Sequence, residues 1–214
     1  MNYQHFVDHT ILKSNTTATE VEQLCMEAVS NEFRSVCVPP YYVKICAQHL
    51  SASITKVVTV VGYPMGYSCL QAKIQEVMQA IKDGADELDV VININAVKNA
   101  NWAFIQEEIQ TLVSLVRSHN KVVKVIIEYE LLTNTELSAI LAICNDLKPD
   151  FVKSSTGNNA YMVTPKDILK IRSLLDPTIA IKASGGIRTL DQVISLVDAG
   201  ATRIGTSSAI KIFS

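Results

Sequence analysis

The sequence predicts a parallel (β/α)8 TIM barrel, a single domain over residues 1–214, and three observations lead there. Eight short β-rich runs alternate with helical patterns, as expected of a parallel sheet with helices packed against it. Glycine and proline are few, 8 and 6, and fall at the ends of periodic segments rather than in linkers. No G-x-G-x-x-G follows the first β-rich run, which argues against the runner-up, a doubly wound open sheet. A length of 214 residues is at the short end for eight such units.

The elements follow in order. The first β-rich run covers residues 6–8. A capping box of Thr17 and Glu20 then opens a helix with Val21, Leu24, Cys25 and Ala28 at i, i+3, i+4 and i+7. Runs at 34–38 and 57–61 read as the second and third strands. The next helix carries Leu70, Ile74, Val77, Met78 and Ile81 and stops at Gly84. Residues 87–92 form the fourth strand, before a helix with Phe104, Ile105, Ile109, Leu112, Val113 and Val116. The fifth strand spans 122–128. A second capping box, Thr133 with Glu136, precedes Leu137, Ile140, Leu141 and Cys144, with a stop at Pro149. The sixth strand is 151–155. Thr164 then caps a helix with Pro165 in its first position, and Ile168, Ile171, Leu174 and Leu175 behind. After the seventh strand, 179–183, a box of Thr189 and Gln192 starts a helix that ends at Gly200. Residues 203–205 form the eighth strand, and a helical stub follows Ser207.

Composition narrows the function classes. Hydrophobic residues make up 48% and charged residues 19%, which suits a folded globular chain. The net charge of −2 argues against a nucleic-acid partner. No apolar run approaches the roughly 20 residues that span a bilayer, and residues 1–13 lack an apolar signal segment. The expectation is a cytoplasmic protein with no membrane partner. The 5 cysteines are odd in number, without metal-site or redox spacing, and read as reduced, mostly buried thiols. The 4 histidines are scattered and none pairs at i, i+4, so neither a metal site nor a cofactor is expected.

Strand parity then exposes an unusual interior. Outward side chains of a barrel meet the helices and must be apolar. Leu88, Val90 and Ile92 form the outward set of the fourth strand, which turns Glu87, Asp89 and Val91 inward. The same parity turns Lys124, Ile126 and Glu128 inward on the fifth strand, Phe151, Lys153 and Ser155 on the sixth, and Ala180, Lys182 and Ser184 on the seventh. Three acids thus face three lysines where barrels usually hold Val, Ile and Leu. Buried charge is costly unless paired. Lys124, at the start of its strand, reads as a structural ion pair. Lys153 and Lys182 lie toward the strand ends where barrel active sites sit.

Two close lysines suit carbonyl chemistry. A neighbouring ammonium and partial desolvation both favour the free amine, which can form a Schiff base. Asp89 and Glu128 are placed to move protons. Gly185 and Gly186 follow the seventh strand, and Gly205, Thr206, Ser207 and Ser208 follow the eighth. Barrels often bind phosphate at these two loops, where backbone amides and a helix start meet the anion. A phosphorylated aldehyde or ketone is the substrate class that fits both features.

Several segments, in one order along nearly the whole chain, resemble the class I deoxyribose-phosphate aldolases. They are Asp8-His9-Thr10, Gly62-Tyr63-Pro64-Met65-Gly66, the stretch from Gly84 to Val91 holding Asp89, Phe151 to Gly157, Lys182 to Arg188, and Gly205 to Ser208. The resemblance implies reversible cleavage of 2-deoxy-D-ribose 5-phosphate to acetaldehyde and D-glyceraldehyde 3-phosphate, in deoxyribonucleoside catabolism. It makes Lys153 the Schiff-base nucleophile, Lys182 the group that favours its free amine, and Asp89 a proton relay. It assigns substrate contacts to Asp8, Thr10, Cys37, Thr156 and Gly157, and phosphate contacts to Gly185, Gly186, Gly205, Ser207 and Ser208. Cys37 also suits plain packing. Where the family commonly has Lys after Ser-Thr-Gly, this chain has Asn158, and its C-terminus, Lys211 to Ser214, lacks the terminal tyrosine of some relatives. The alternatives are another phosphosugar Schiff-base aldolase or isomerase, or a phosphosugar-binding barrel without turnover. A small phosphorylated sugar is the expected partner, and self-association into a homo-oligomer is left open.

Overall fold

Parallel strands cannot be joined by tight turns, so each crossover must carry a longer, usually helical, connection. A computed structural model describes residues 2–214. Its strands are β1 (Val7–Thr10), β2 (Ser35–Val38), β3 (Lys56–Val61), β4 (Glu87–Val91), β5 (Val122–Ile126), β6 (Phe151–Lys153), β7 (Ala180–Ser184) and β8 (Arg203–Thr206). They close into a parallel barrel in sequence order, β1 pairing with both β2 and β8. The helices are α1 (Ala18–Ser30), α2 (Val43–His49), α3 (Leu70–Lys82), α4 (Ile94–Lys98), α5 (Trp102–Ser118), α6 (Asn134–Leu147), α7 (Pro165–Leu174), α8 (Leu190–Asp198) and α9 (Ala209–Phe213). This is the (β/α)8 barrel that the alternation of elements predicts.

The helix starts are where the caps put them. Glu20 accepts the amide of Thr17 at 2.7 Å, Glu136 that of Thr133 at 2.7 Å, and Gln192 that of Thr189 at 3.1 Å. Two helices escape the periodicity. The seven residues of α2 bury only Val43 and Cys46 and carry no side-chain cap. The five of α4 are too few for an apolar stripe, and Asn93 caps them. Strand ends also differ. Residues 3–6 form a 3₁₀ turn, so β1 starts at Val7 and runs on to Thr10. The fifth strand stops at Ile126, because Glu128 turns into the left-handed region at φ 48°. The sixth stops at Lys153, although the Ser154 amide still donates to the Lys182 carbonyl at 3.0 Å.

Outward residues of the strands, among them Leu88, Val90, Val123, Val125, Val152 and Ile181, join one apolar layer between barrel and helices. The barrel's own apolar filling is a small cluster of Cys37, Val58 and Val60, packed with Leu12 and Tyr63. Much of the remaining interior is charged.

The α3 stripe is displaced from the one expected. Its buried line is Lys73, Val77 and Ala80, while Met78 is 40% exposed and Leu70, Ile74 and Ile81 are half-buried. Lys73 is fully buried, donating to Glu108 of α5 at 2.6 Å and to the Val91 carbonyl at 2.7 Å. Glu108 in turn accepts the Asn93 amide at 2.9 Å. Burial pulls Lys73 below the usual lysine range and pushes Glu108 up, and each one's charge on the other opposes this. Removing one member of such a pair strands the other. Lys73→Met is expected to cost about 3–5 kcal/mol, and the double change Lys73→Met with Glu108→Leu to recover much of it. Urea unfolding checks this, and a single-variant loss no larger than that of the double would contradict it.

Candidate active site

Adjacent parallel strands bring inward residues from distant parts of the chain to one level. Asp89 sits opposite Lys124 on β5, and Lys153 on β6 is opposite Lys182 on β7. Asp89 gathers all three lysines. Its Oδ1 accepts from Lys124 at 2.8 Å, and its Oδ2 from Lys153 at 2.9 Å and Lys182 at 2.7 Å. Asp89 and Lys182 are fully buried, and Lys153 is 3% exposed.

Three further charges complete the interior. The Lys182 Nζ lies 2.5 Å from Oδ2 of Asp8, whose Oδ1 accepts from Ser35 at 2.6 Å and Arg203 at 2.7 Å. Arg203 also donates to Glu87 at 2.9 Å, and Lys124 lies 2.6 Å from that same Glu87 carboxylate. The Phe151 ring lies beneath both cations, 5.1 Å from the Arg203 guanidinium carbon and 5.9 Å from Lys124 Nζ.

The electrostatics follow from this pairing. Burial works against charge on Asp89, yet Lys124, Lys153 and Lys182 together hold its carboxyl well below the usual carboxylate range. Asp8 is likewise depressed, its burial outweighed by Lys182 and Arg203. Burial opposes charge on Lys182 too, but Asp8 and Asp89 lift its ammonium above the lysine range. Lys182 is thus a fixed cation beside Lys153.

A cavity of about 810 Å³ opens above these groups. Of the paired interior charges only Lys153 lines it, joined by Thr10, Tyr63, Thr156 and Gly157. Gly185, Gly186, Gly205, Ser207 and Ser208 line it as well. Gly185 and Gly186 hold φ of 108° and 69°, which glycine adopts at low cost, and a Cβ on Gly186 would stand 3.0 Å from Met162. Gly205 has a different reason to be small: a Cβ there would press to 3.1 Å from Lys182 Cε. Because α9 has only five residues, the polar groups this region offers are loop amides and hydroxyls more than a helix end.

Five sequence-derived residues stand elsewhere. Asp8, Asp89 and Lys182 lie behind the cavity rather than on its wall, so Asp8, expected at the substrate end, is instead engaged by Arg203, Ser35 and Lys182. Cys37 is fully buried against Val58 and Val60, where burial pushes its thiol up. Glu128 stays off the wall as well. It accepts from the Thr156 amide, from Thr156 Oγ1 at 3.2 Å and from Asn159 at 3.0 Å, and so braces the loop beyond Lys153. Sequence reasoning missed Arg203, although it opens an inward-facing strand and the parity argument, extended to β8, would have turned it inside. It turned Ser184 inward without assigning it to the site, and gave no role to the Tyr63 phenol, pushed up to about 12 mainly by burial and 3.3 Å from the Thr156 carbonyl.

Asp8 yields a test of this arrangement. Its folded-state value lies below its unfolded one, so its ion pairs contribute stability above the ordinary aspartate value of about 4, and that contribution is lost as pH falls toward the folded value. The stability difference between wild type and Asp8→Asn is therefore expected to be widest at neutral pH and to narrow steadily below about pH 4. Urea midpoints measured from pH 2 to 7 check this. A gap that does not change with pH would mean that Asp8 carries no charge at neutral pH.

The chain matches the profile of the DeoC/LacD family aldolases over residues 4–214. It is 47% identical over 210 residues to a deoxyribose-phosphate aldolase of Caldicellulosiruptor saccharolyticus, covering 98% of this chain and 96% of that one. Among solved structures, the aldolase QR15 superposes with a TM-score of 0.92 at 36% identity, over 98% of this chain and 93% of the other. A deoxyribose phosphate aldolase of Aeropyrum pernix, described as tetrameric, gives a TM-score of 0.92 at 32% identity, over 98% and 88%.

Proposed function

The chain belongs to the DeoC/LacD family of aldolases and is a lyase, and from that premise we propose that it cleaves 2-deoxy-D-ribose 5-phosphate reversibly through a Schiff base on Lys153. The observation that carries the residue assignment is that Lys153, alone of the paired interior charges, reaches the cavity wall. A role in deoxyribonucleoside breakdown follows from that substrate.

In the open-chain sugar the Lys153 amine adds to the C1 aldehyde, and loss of water leaves an iminium. Its nitrogen accepts the electron pair as the C2–C3 bond breaks and the C3 hydroxyl gives up its proton. Glyceraldehyde 3-phosphate departs and an enamine remains. Protonation at C2 and hydrolysis release acetaldehyde and restore the amine. Lys182, held protonated by Asp8 and Asp89, disfavours a second ammonium beside it and so favours nucleophilic Lys153. Asp89 is held ionised, and accepts a proton only when the lysines around it change charge or position. The proton relay is therefore assigned to Asp89 acting with Lys182 rather than to Asp89 alone. The loops at Gly185, Gly186, Gly205, Ser207 and Ser208, which line the same cavity as Lys153, receive the phosphate.

Lys153→Ala is expected to abolish borohydride trapping of acetaldehyde. Lys182→Ala keeps the nucleophile, and its residual activity is expected to move to higher pH. Mass spectrometry of the trapped wild type decides the assignment, since an adduct on Lys182 would reverse the two roles.

Asn158 lies on the cavity wall, its amide 3.2 Å from Thr156 Oγ1. A lysine there adds a cation within reach of the substrate, and a charge-assisted hydrogen bond is worth about 1.5–3 kcal/mol, less where solvent screens it. Asn158→Lys is expected to lower KM for deoxyribose 5-phosphate severalfold. If the new cation meets the phosphate, unphosphorylated deoxyribose gains nothing, and if it meets a hydroxyl both substrates gain. Unchanged KM for both in a folded variant would place residue 158 outside substrate contact.

A further inference from the structure

The ion pairs inside the barrel form a closed circuit. From Asp89 it passes to Lys182 (2.7 Å), Asp8 (2.5 Å), Arg203 (2.7 Å), Glu87 (2.9 Å), Lys124 (2.6 Å) and back to Asp89 (2.8 Å). Its carboxylates, Asp8, Glu87 and Asp89, equal its cations, Lys124, Lys182 and Arg203, in number. Lys153 hangs from Asp89 as a group outside the circuit, at 2.9 Å.

We infer that Arg203 is a positioning residue of the reaction: it closes a neutral ring of six charges, so that the free-amine form of Lys153 is the one that leaves the barrel interior uncharged. The inference rests on Lys153 as the nucleophile and adds a reason for its state that Lys182 alone does not supply. Near Lys153, Asp89 would by itself favour an ammonium, and Lys182 alone only offsets that one carboxylate. Asp8 and Glu87 are two further anions close by, and Lys124 offsets only one of them. The fourth position, held by Arg203, decides the sign.

The other titratable groups facing this region make no ion pair with the ring, and those across the cavity, Lys13, Arg188, Glu20 and Glu27, balance in number. The Cys37 thiol on β2 is pushed up by burial, and the Tyr63 phenol after β3 is pushed up to about 12 by burial, so both are neutral. Val58 and Val60 of β3 are apolar. Glu128, beyond β5, is held by the Thr156 amide and hydroxyl and by Asn159, and bonds neither to Lys153 nor to any member of the ring. Arg203 is buried, 5% exposed, and its bonds to Asp8 and Glu87 leave it no path to the cavity, so it acts through the ring and not on the substrate.

Substitutions of opposite sign provide the test. Arg203→Met removes a cation, and Lys153 then restores neutrality by keeping its proton. Glu87→Gln removes an anion and does the reverse. Competitive labelling of Lys153 with acetic anhydride across pH 5–10, read by mass spectrometry, reports the free amine whether or not the protein is an aldolase. The acid limb of labelling is expected to move up by roughly one pH unit in Arg203→Met and down by a similar amount in Glu87→Gln. In Arg203→Lys, which keeps the charge but loses the fork, it is expected to stay near wild type. Folded Arg203→Met and Glu87→Gln variants that label along the wild-type profile would overturn the inference, as would shifts of the same sign in both. If Arg203→Met does not fold, Glu87→Gln decides alone, and an unmoved limb overturns the ring. Acetaldehyde trapping in the wild type is read separately: its absence from Lys153 would remove the proposed function while leaving the labelling result to stand or fall on its own.

Discussion

The carboxylate of Asp89, shared among three buried lysines, is the interaction on which the rest of the interior depends. A barrel filled with Val, Ile and Leu gains stability from burial and asks nothing of its strand register beyond parity. A barrel filled with charge has a stricter condition, because each ion taken from water costs several kcal/mol unless a partner of opposite sign lies within bonding distance. Here the partners come from β1, β4, β5, β6, β7 and β8, so correct pairing of six strands is a condition for burying any of them. The apolar cluster of Cys37, Val58 and Val60 fills the side of the barrel that the charges leave open.

The same arrangement separates the site into two depths. Lys153 stands at the cavity wall, while the groups that set its electrical surroundings lie behind it, out of reach of solvent. Charges placed in a water-excluded layer act on the reacting group at full strength and need no rearrangement when it reacts. Asp89 keeps Lys124 and Lys182 as partners whatever becomes of Lys153, so conversion of that amine to an imine leaves no carboxylate stranded. The other loops on the cavity wall are placed independently, by Gly185 and Gly186 after β7 and by Ser207 and Ser208 after β8.

Much of this was legible in the sequence, for physical reasons that also explain what was not. Alternating strands and helices, with capping boxes at Thr17, Thr133 and Thr189, are local signals, and they led to the barrel and to most helix starts. Parity turned Glu87, Asp89, Lys124, Lys153 and Lys182 inward because their neighbours are plainly aliphatic. Arg203 and Asp8 lie on β8 and β1, to which the parity reading was not extended, and so the circuit they complete was not apparent. Asp8 was carried to the substrate end by resemblance of a motif, which says which residues recur together and nothing of the depth at which each one sits. Burial of Lys73 was hidden for a different reason. An apolar stripe is counted by residue type, and a lysine enters it only when a carboxylate on another helix, in this case Glu108, is there to receive it.

That lysine has a consequence for the helical shell. A helix held to a sheet by aliphatic side chains alone can roll about its own axis by some degrees with little loss, since dispersion contacts are individually weak and without direction. Lys73 removes this freedom from α3. Its ammonium must meet both a carbonyl at the end of β4 and a carboxylate on α5, and those two bonds define one angular setting of the helix. One turn along, Glu76 accepts the Gly62 amide at 2.7 Å, so the loop after β3 is tied to that same setting. Glycine is demanded at position 62 twice, by a φ of 63° and by Lys73 Cε, which would lie 2.8 Å from any Cβ placed there. Residues 62 and 73, eleven apart in sequence, therefore vary as a unit: a bulkier residue 62 requires a shorter residue 73, and with it a helix released to roll.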